Sequence, residues 1–305
     1  MKLATTTEDF LRYTHDQVES IGFLQEAGFR HVDLSLYSPD HSKDLLISES
    51  WRESAQRIKV YMLEQGLDFV QSHGPNVDPL GGEQKVAEAL ALTNRALEVC
   101  AYLGIPCTVV HGGVNWNIKD KDEWVEKNVS FFRSLIPMME KTDVMVLFEN
   151  SASSNTGDTY YPNTSADCRS FVELLQHPLF GVCWDTGHAN IEGSQYDEIM
   201  ALGHHLKAVH FNDNLGTKDQ HVIPMMGTLN VDEILNALID VGYQGALTYE
   251  SCTALRPSRY WLGDRRPFER ETRLANPTLD MQRSLERFMY ELGVQLLKAY
   301  DLFEN

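Results

Sequence analysis

Basic residues are in short supply in this sequence: 26 lysines and arginines stand against 44 aspartates and glutamates, for a formal net charge of -18. A chain so charged repels a polyanion at long range unless its cations gather on one face. The one grouping is Arg256, Arg259, Arg265 and Arg266, so nucleic acid is not an expected partner. Cysteine is also scarce. The five, at 100, 107, 168, 183 and 252, are odd in number and form no CxxC pair, which argues against a disulfide framework or a thiolate zinc site. Reduced core thiols are the expectation. No window is long and apolar enough to span a bilayer, and Met1-Lys2-Leu3-Ala4-Thr5 turns polar without the apolar stretch of a secretory leader. A membrane is therefore not an expected partner, and a cytoplasmic location is expected. Also absent are the phosphate loops GxGxxG and GxxxxGKS, and Gly81-Gly82 precedes a helical stretch without either spacing.

What is present is a rhythm. The stretch Gly181-Val182-Cys183-Trp184-Asp185-Thr186-Gly187-His188-Ala189-Asn190 reads as a short apolar strand that ends in a loop and presents a carboxylate and an imidazole there. Other strands are expected at 2–6, 29–35, 67–73, 107–111, 144–150, 206–211 and 245–250. Helical periodicity falls between them at 15–27, 50–65, 83–103, 121–141, 165–176, 195–202 and 231–241, and glycines at 28, 66, 104 and 242 stop four of these stretches. Strands alternating with helices imply βαβ units and a parallel sheet. Eight such units in 305 residues favour a closed (β/α)8 TIM barrel over an open doubly wound sheet. The expectation is one α/β domain over 1–305, in which 255–305 supplies an arm and a closing helix at 279–302. The connection from 255 to 277 is long for a compact domain. It reads as a lid or an oligomer arm, with surface packing the equal alternative, and makes a homo-oligomer a possible state.

Polar residues collect where the strands end: His73, His111, Glu149, Asp185, His188, His210 and Glu250, with Asp219 and His221 in the loop after the seventh. A single histidine at such a place is ordinarily a hydrogen-bonded structural residue. Burying several carboxylates and imidazoles together is expensive unless a cation compensates them, so a divalent metal at the barrel mouth is expected.

His73-Gly74-Pro75, Glu149-Asn150, Asp185-Thr186-Gly187-His188-Ala189-Asn190, His210-Phe211-Asn212-Asp213 and Glu250 together resemble the xylose-isomerase-like TIM barrels, which include sugar and sugar-phosphate isomerases and epimerases. The resemblance implies one divalent ion (Mn, Mg, Co or Zn) held by Glu149, Asp185, His210 and Glu250. It also implies a small carbohydrate substrate whose carbonyl and neighbouring hydroxyl the ion would chelate, and proton transfer through a cis-enediolate by Glu149 and Glu250. His188 would hold a substrate oxygen, and His73, His111, Asn150 and His221 would complete the substrate pocket, with Trp116 and Phe211 as candidates for an apolar wall. The same superfamily supplies a competing expectation, a three-zinc apurinic-site nuclease of the endonuclease-IV type. Its ligands resemble His73, His111, Glu149, Asp185, His188, His210, Asp219, His221 and Glu250, and the negative charge weighs against it. A sugar or inositol-ketone dehydratase is a third expectation, and a noncatalytic binding protein a fourth. Two departures from the pattern are evident: the loop after His221 keeps only Gly227 of a GxG turn, and Lys218 is the only base near the place where many epimerases carry an arginine.

Overall fold

The computed structural model describes residues 1–251, 254–255 and 277–304. Eight parallel strands close on themselves in sequence order: β1 (Lys2–Thr6), β2 (His31–Ser35), β3 (Asp68–His73), β4 (Cys107–Val110), β5 (Met145–Glu149), β6 (Phe180–Asp185), β7 (Leu206–Phe211) and β8 (Ala246–Tyr249). β1 closes the ring by pairing with β8, Lys2 against Ala246 through Thr5 against Tyr249. This is the (β/α)8 barrel expected from the rhythm, and a long C-terminal helix (Leu279–Ala299) packs on it. The segment read as a lid or oligomer arm falls, between 256 and 276, outside the described residues.

Period-two alternation divides the strand residues between two cores. Leu147, Cys183, Ala208, Cys107 and Val109 fill a small layer inside the barrel. Their neighbours Phe148 and Trp184 point outward and join a larger core under the helices, where Phe148, Phe132, Phe171 and Trp124 pack ring to ring. Among the described residues no helix is long and apolar enough to cross a membrane.

Three local expectations need correction. A helix at Glu8–Thr14 precedes the one expected from His15, and His15 itself ends it in the left-handed region at φ 52°. The single helix expected over 121–141 is two, Lys121–Arg133 and Ile136–Thr142, because Pro137 is tolerated only in a first turn. β6 does not end in a loop either: Asp185 caps a helix that begins at once, Thr186–Glu192.

The first and last helices are joined by buried acids. Glu286 of the C-terminal helix is 0% exposed and Asp9 of the first helix 1%; Thr5 Oγ1 donates to Asp9 at 3.0 Å and Gln282 Nε2 donates to Glu286 at 3.3 Å. Burial, and then the neighbouring Asp9, push the Glu286 carboxyl well above its ordinary 4.5. A carboxyl raised by folding contributes stability that is complete below its unfolded pKa and is lost as pH rises toward the folded one. Glu286→Gln carries a permanently neutral amide and escapes that loss. Its melting temperature should exceed the parent's by at least about 2 °C at pH 8 and converge with it near pH 4.5. Parallel pH profiles for the two proteins would refute the account.

Candidate active site

Leu147, Cys183 and Ala208 share the inner layer, so the residues two places on, Glu149, Asp185 and His210, face the same axis one layer higher. Pairing sets their heights, with Glu149 opposite Cys183 and Asp185 opposite His210. Glu250 follows β8 directly. One potential ligand atom from each of Glu149, Asp185, His210 and Glu250 lies within 4.8 Å of the others, which brings the expected four together at the mouth.

Their neighbours hold them in place. Glu149 Oε1 meets His210 Nδ1 at 2.7 Å, and its Oε2 meets His111 Nε2 at 2.6 Å. Asp185 accepts the backbone N–H of His188 at 2.6 Å and the amide of Asn212 at 2.5 Å. The Asn212 amide lies so close to Gly187 that a Cβ there would stand 1.8 Å from Asn Oδ1, so the glycine of this turn is a matter of space. His210 turns its other nitrogen to Gln71 Nε2, 2.9 Å away, and the same amide donates to Asp33 at 3.0 Å.

The charges conflict with their burial. Burial pushes Asp185 up to about 7 against the pull of His188. Burial would raise Glu149 too, but His210 and His111 outweigh it and hold that carboxyl well below its ordinary range. Glu250 is brought down to about 2 against burial, by His210 and then His221. His210 is raised well above its ordinary value although burial opposes its charge, because Cys183 and the two glutamates prevail. Three carboxylates thus converge on one imidazole, and buried Glu250 Oε2 has His210 Nδ1 at 3.3 Å and His221 Nδ1 at 3.7 Å beside it, both committed to shorter bonds with Glu149 and the Glu250 carbonyl. A mixed set of hard oxygens and one nitrogen, in which three buried carboxyl groups share one imidazole, fits a divalent cation.

Two further groups adjoin this one. His188, Asp219 and His221 offer ligand atoms within 4.8 Å of one another, as do His73, His111 and Glu149. His188 Nδ1 donates to the Asn150 carbonyl at 2.9 Å and His221 Nδ1 to the Glu250 carbonyl at 2.8 Å, which turns both Nε2 atoms toward Asp219, at 3.1 and 3.0 Å. Against burial, Asp185 and Asp219 raise His188 to about 10. Burial, reinforced by His111, lowers His73 to about 4 and leaves it a neutral ring.

A cavity of about 370 Å³ opens above, lined by His73, His111, Glu149, His188, His221 and Glu250 among others, at the small end of ligand pockets. Asn150 is not part of this wall. Both ends of its amide are spent on the Asp185 backbone, donating at 3.1 Å and accepting at 2.7 Å, so it braces β6 where it ends and does not face the cavity. The apolar wall is also placed differently, since Trp116 is 63% exposed and Phe211 is fully buried against Tyr249. The aromatic in the wall is Tyr37, edge-on to His73 at 5.0 Å. Tyr37, Thr6, Glu8, Asp33, Ser35 and Asn155 all line the cavity and were missed. The signal that finds four of them is position alone: they lie at or just beyond the C-terminal ends of β1 and β2, where barrel sites are built.

With this geometry in view, residues 21–273 match the family model for the xylose isomerase-like TIM barrel. The chain belongs to that family. It is 25% identical over 243 residues to a ketose 3-epimerase of Arthrobacter globiformis, covering 76% of this chain and 76% of the relative. In structure it resembles a D-psicose 3-epimerase of Clostridium cellulolyticum solved with D-tagatose, at 18% identity and a TM-score of 0.75 over 97% of this chain and 99% of the other. It resembles equally an IolI protein solved with a zinc atom, at 16% identity and a TM-score of 0.75 over 100% of both chains. The structural likenesses establish the fold, and the family relatives include sugar 3-epimerases.

Proposed function

We propose that this family member is a divalent-metal-dependent isomerase or epimerase of sugars. The observation that carries the reading is the convergence of Glu149, Asp185, His210 and Glu250 within 4.8 Å. A divalent ion held by these four supplies a Lewis acid that acidifies the C–H beside a substrate carbonyl. Glu149 and Glu250 are the carboxylates within reach of that proton, and both are kept ionised by the surrounding imidazoles, as an acceptor must be. His188, fixed by the Asn150 carbonyl and charged beside Asp219, donates to a substrate oxygen. The neutral ring of His73 and Tyr37 beside it close the wall. The identities of the ketose relatives accord with this chemistry.

The test is a panel of ketoses incubated in deuterium oxide with the metal-reconstituted protein. Incorporation of deuterium at the carbon beside the carbonyl, together with the epimer or aldose, is the expected result. Loss of water to a conjugated carbonyl product would replace epimerisation with dehydration. A second reading has one observation in its favour: the three groups around Glu149 would accommodate three ions, as a three-zinc nuclease requires. The net charge of -18 opposes the grip on phosphates that such an enzyme needs.

A further inference from the structure

One wall of the cavity is built from the ends of the first two strands, and its described side chains are hydroxyls and carboxylates. Thr6, Ser35 and Tyr37 present hydroxyls, while Glu8 and Asp33 present carboxylates. Glu8 is only partly spent: its Oε2 accepts Ser35 Oγ at 2.9 Å, and its Oε1 lies 3.5 Å from His41 Nδ1. Asp33 is 1% exposed, and its Oδ1 is buried without a hydrogen-bond partner although Oδ2 takes the Gln71 amide. Among the described residues, no lysine or arginine lines the cavity. Phosphate sites ordinarily gather arginine, lysine, glycine-rich backbone or a helix N-terminus. Here the first helix does begin at this wall, but its first turn carries Glu8 and Asp9, which places negative charge where an anion would sit.

We infer that the cavity takes an uncharged, unphosphorylated polyhydroxy ketone of monosaccharide size, and that Glu8 is the specificity residue that accepts its distal hydroxyls and repels a distal phosphate or carboxylate. This rests on the isomerase reading and sharpens it. Sugar hydroxyls are donors, so a carboxylate with a free lone pair and a buried carboxylate oxygen without a donor are the complement they need. An anionic terminus would be desolvated against Glu8 and Asp33, and like charges so placed are strongly disfavoured.

The experiment compares free ketohexoses with their 6-phosphates on the metal-loaded protein, reading kcat/KM and solvent deuterium incorporation for the parent, Glu8→Gln and Glu8→Lys. Expected is a preference for the free sugar of roughly 100-fold in the parent, a smaller preference in Glu8→Gln, and a gain of phosphate ester turnover in Glu8→Lys. Equal or better turnover of the phosphate by the parent overturns the inference and leaves the isomerase reading standing. A preference unmoved by both substitutions also overturns the role of Glu8. No exchange with either class of substrate overturns the isomerase reading and this inference with it.

Discussion

Glu250→Gln is expected to lower kcat/KM for the epimerised sugar by at least about a thousandfold, with the fold intact, a loss in the range that removing a positioned acid or base produces. Glutamine keeps the shape but gives up both the negative charge and the proton acceptor. The fold survives because the contact that ties the loop after β7 to this residue uses its backbone: His221 Nδ1 bonds the Glu250 carbonyl, not the side chain. His210 likewise keeps its shorter contact, to Glu149 at 2.7 Å, when the 3.3 Å contact to Glu250 is altered. Metal content measured on the same sample separates the two losses. A variant that still carries metal and does not turn over has lost a base, whereas one that has lost the metal has lost a ligand. Glu149→Gln provides the counterpart. If the two carboxylates serve opposite faces of one carbon, each variant should retain some solvent exchange from one epimer and lose it from the other. Undiminished turnover in Glu250→Gln would remove Glu250 from the chemistry.

That prediction could be framed from the sequence because the ligand-type residues sit at strand ends, and strand ends are legible. Glycines after helices and apolar runs of four to six residues mark them, and a parallel barrel brings every such end to one mouth. The order of the strands did the rest. What stayed hidden depends on direction and space. Asn150 follows Glu149 in the chain, but only the path of β6 shows that its amide is consumed by the Asp185 backbone. Gly187 falls where a loop is expected, yet it sits inside a helix, and the position is glycine because Asn212 leaves no room for a side chain. The helix at Glu8–Thr14 is only seven residues long, and Thr7 before it accepts the Ser35 backbone N–H in place of capping it. Asp33, Ser35 and Tyr37 belong to no motif, and their place in the cavity follows from barrel closure.

The second large effect is expected from the proposed cation. Without it, Glu149, Asp185 and Glu250 converge in a buried site around His210, and Asp185 is driven toward its neutral form. Occupancy should therefore stabilise the fold as well as enable turnover, by about 4 kcal/mol at a thousandfold excess over Kd. Protein purified without added metal or chelator is expected to hold about one equivalent per chain. Chelation should abolish turnover and lower the melting temperature, and Mn²⁺, Mg²⁺, Co²⁺ or Zn²⁺ should restore both to different degrees. Because the ligands must be deprotonated, the stabilisation should fade as pH falls and protons compete for the carboxylates and His210. A count near three zinc ions would instead place metal between His188, Asp219 and His221 and between His73, His111 and Glu149. The hydrogen bonds from His188 and His221 to backbone carbonyls, which leave each Nε2 facing Asp219, would then read as ligand orientation, and nicking of abasic duplex DNA would become the assay to run.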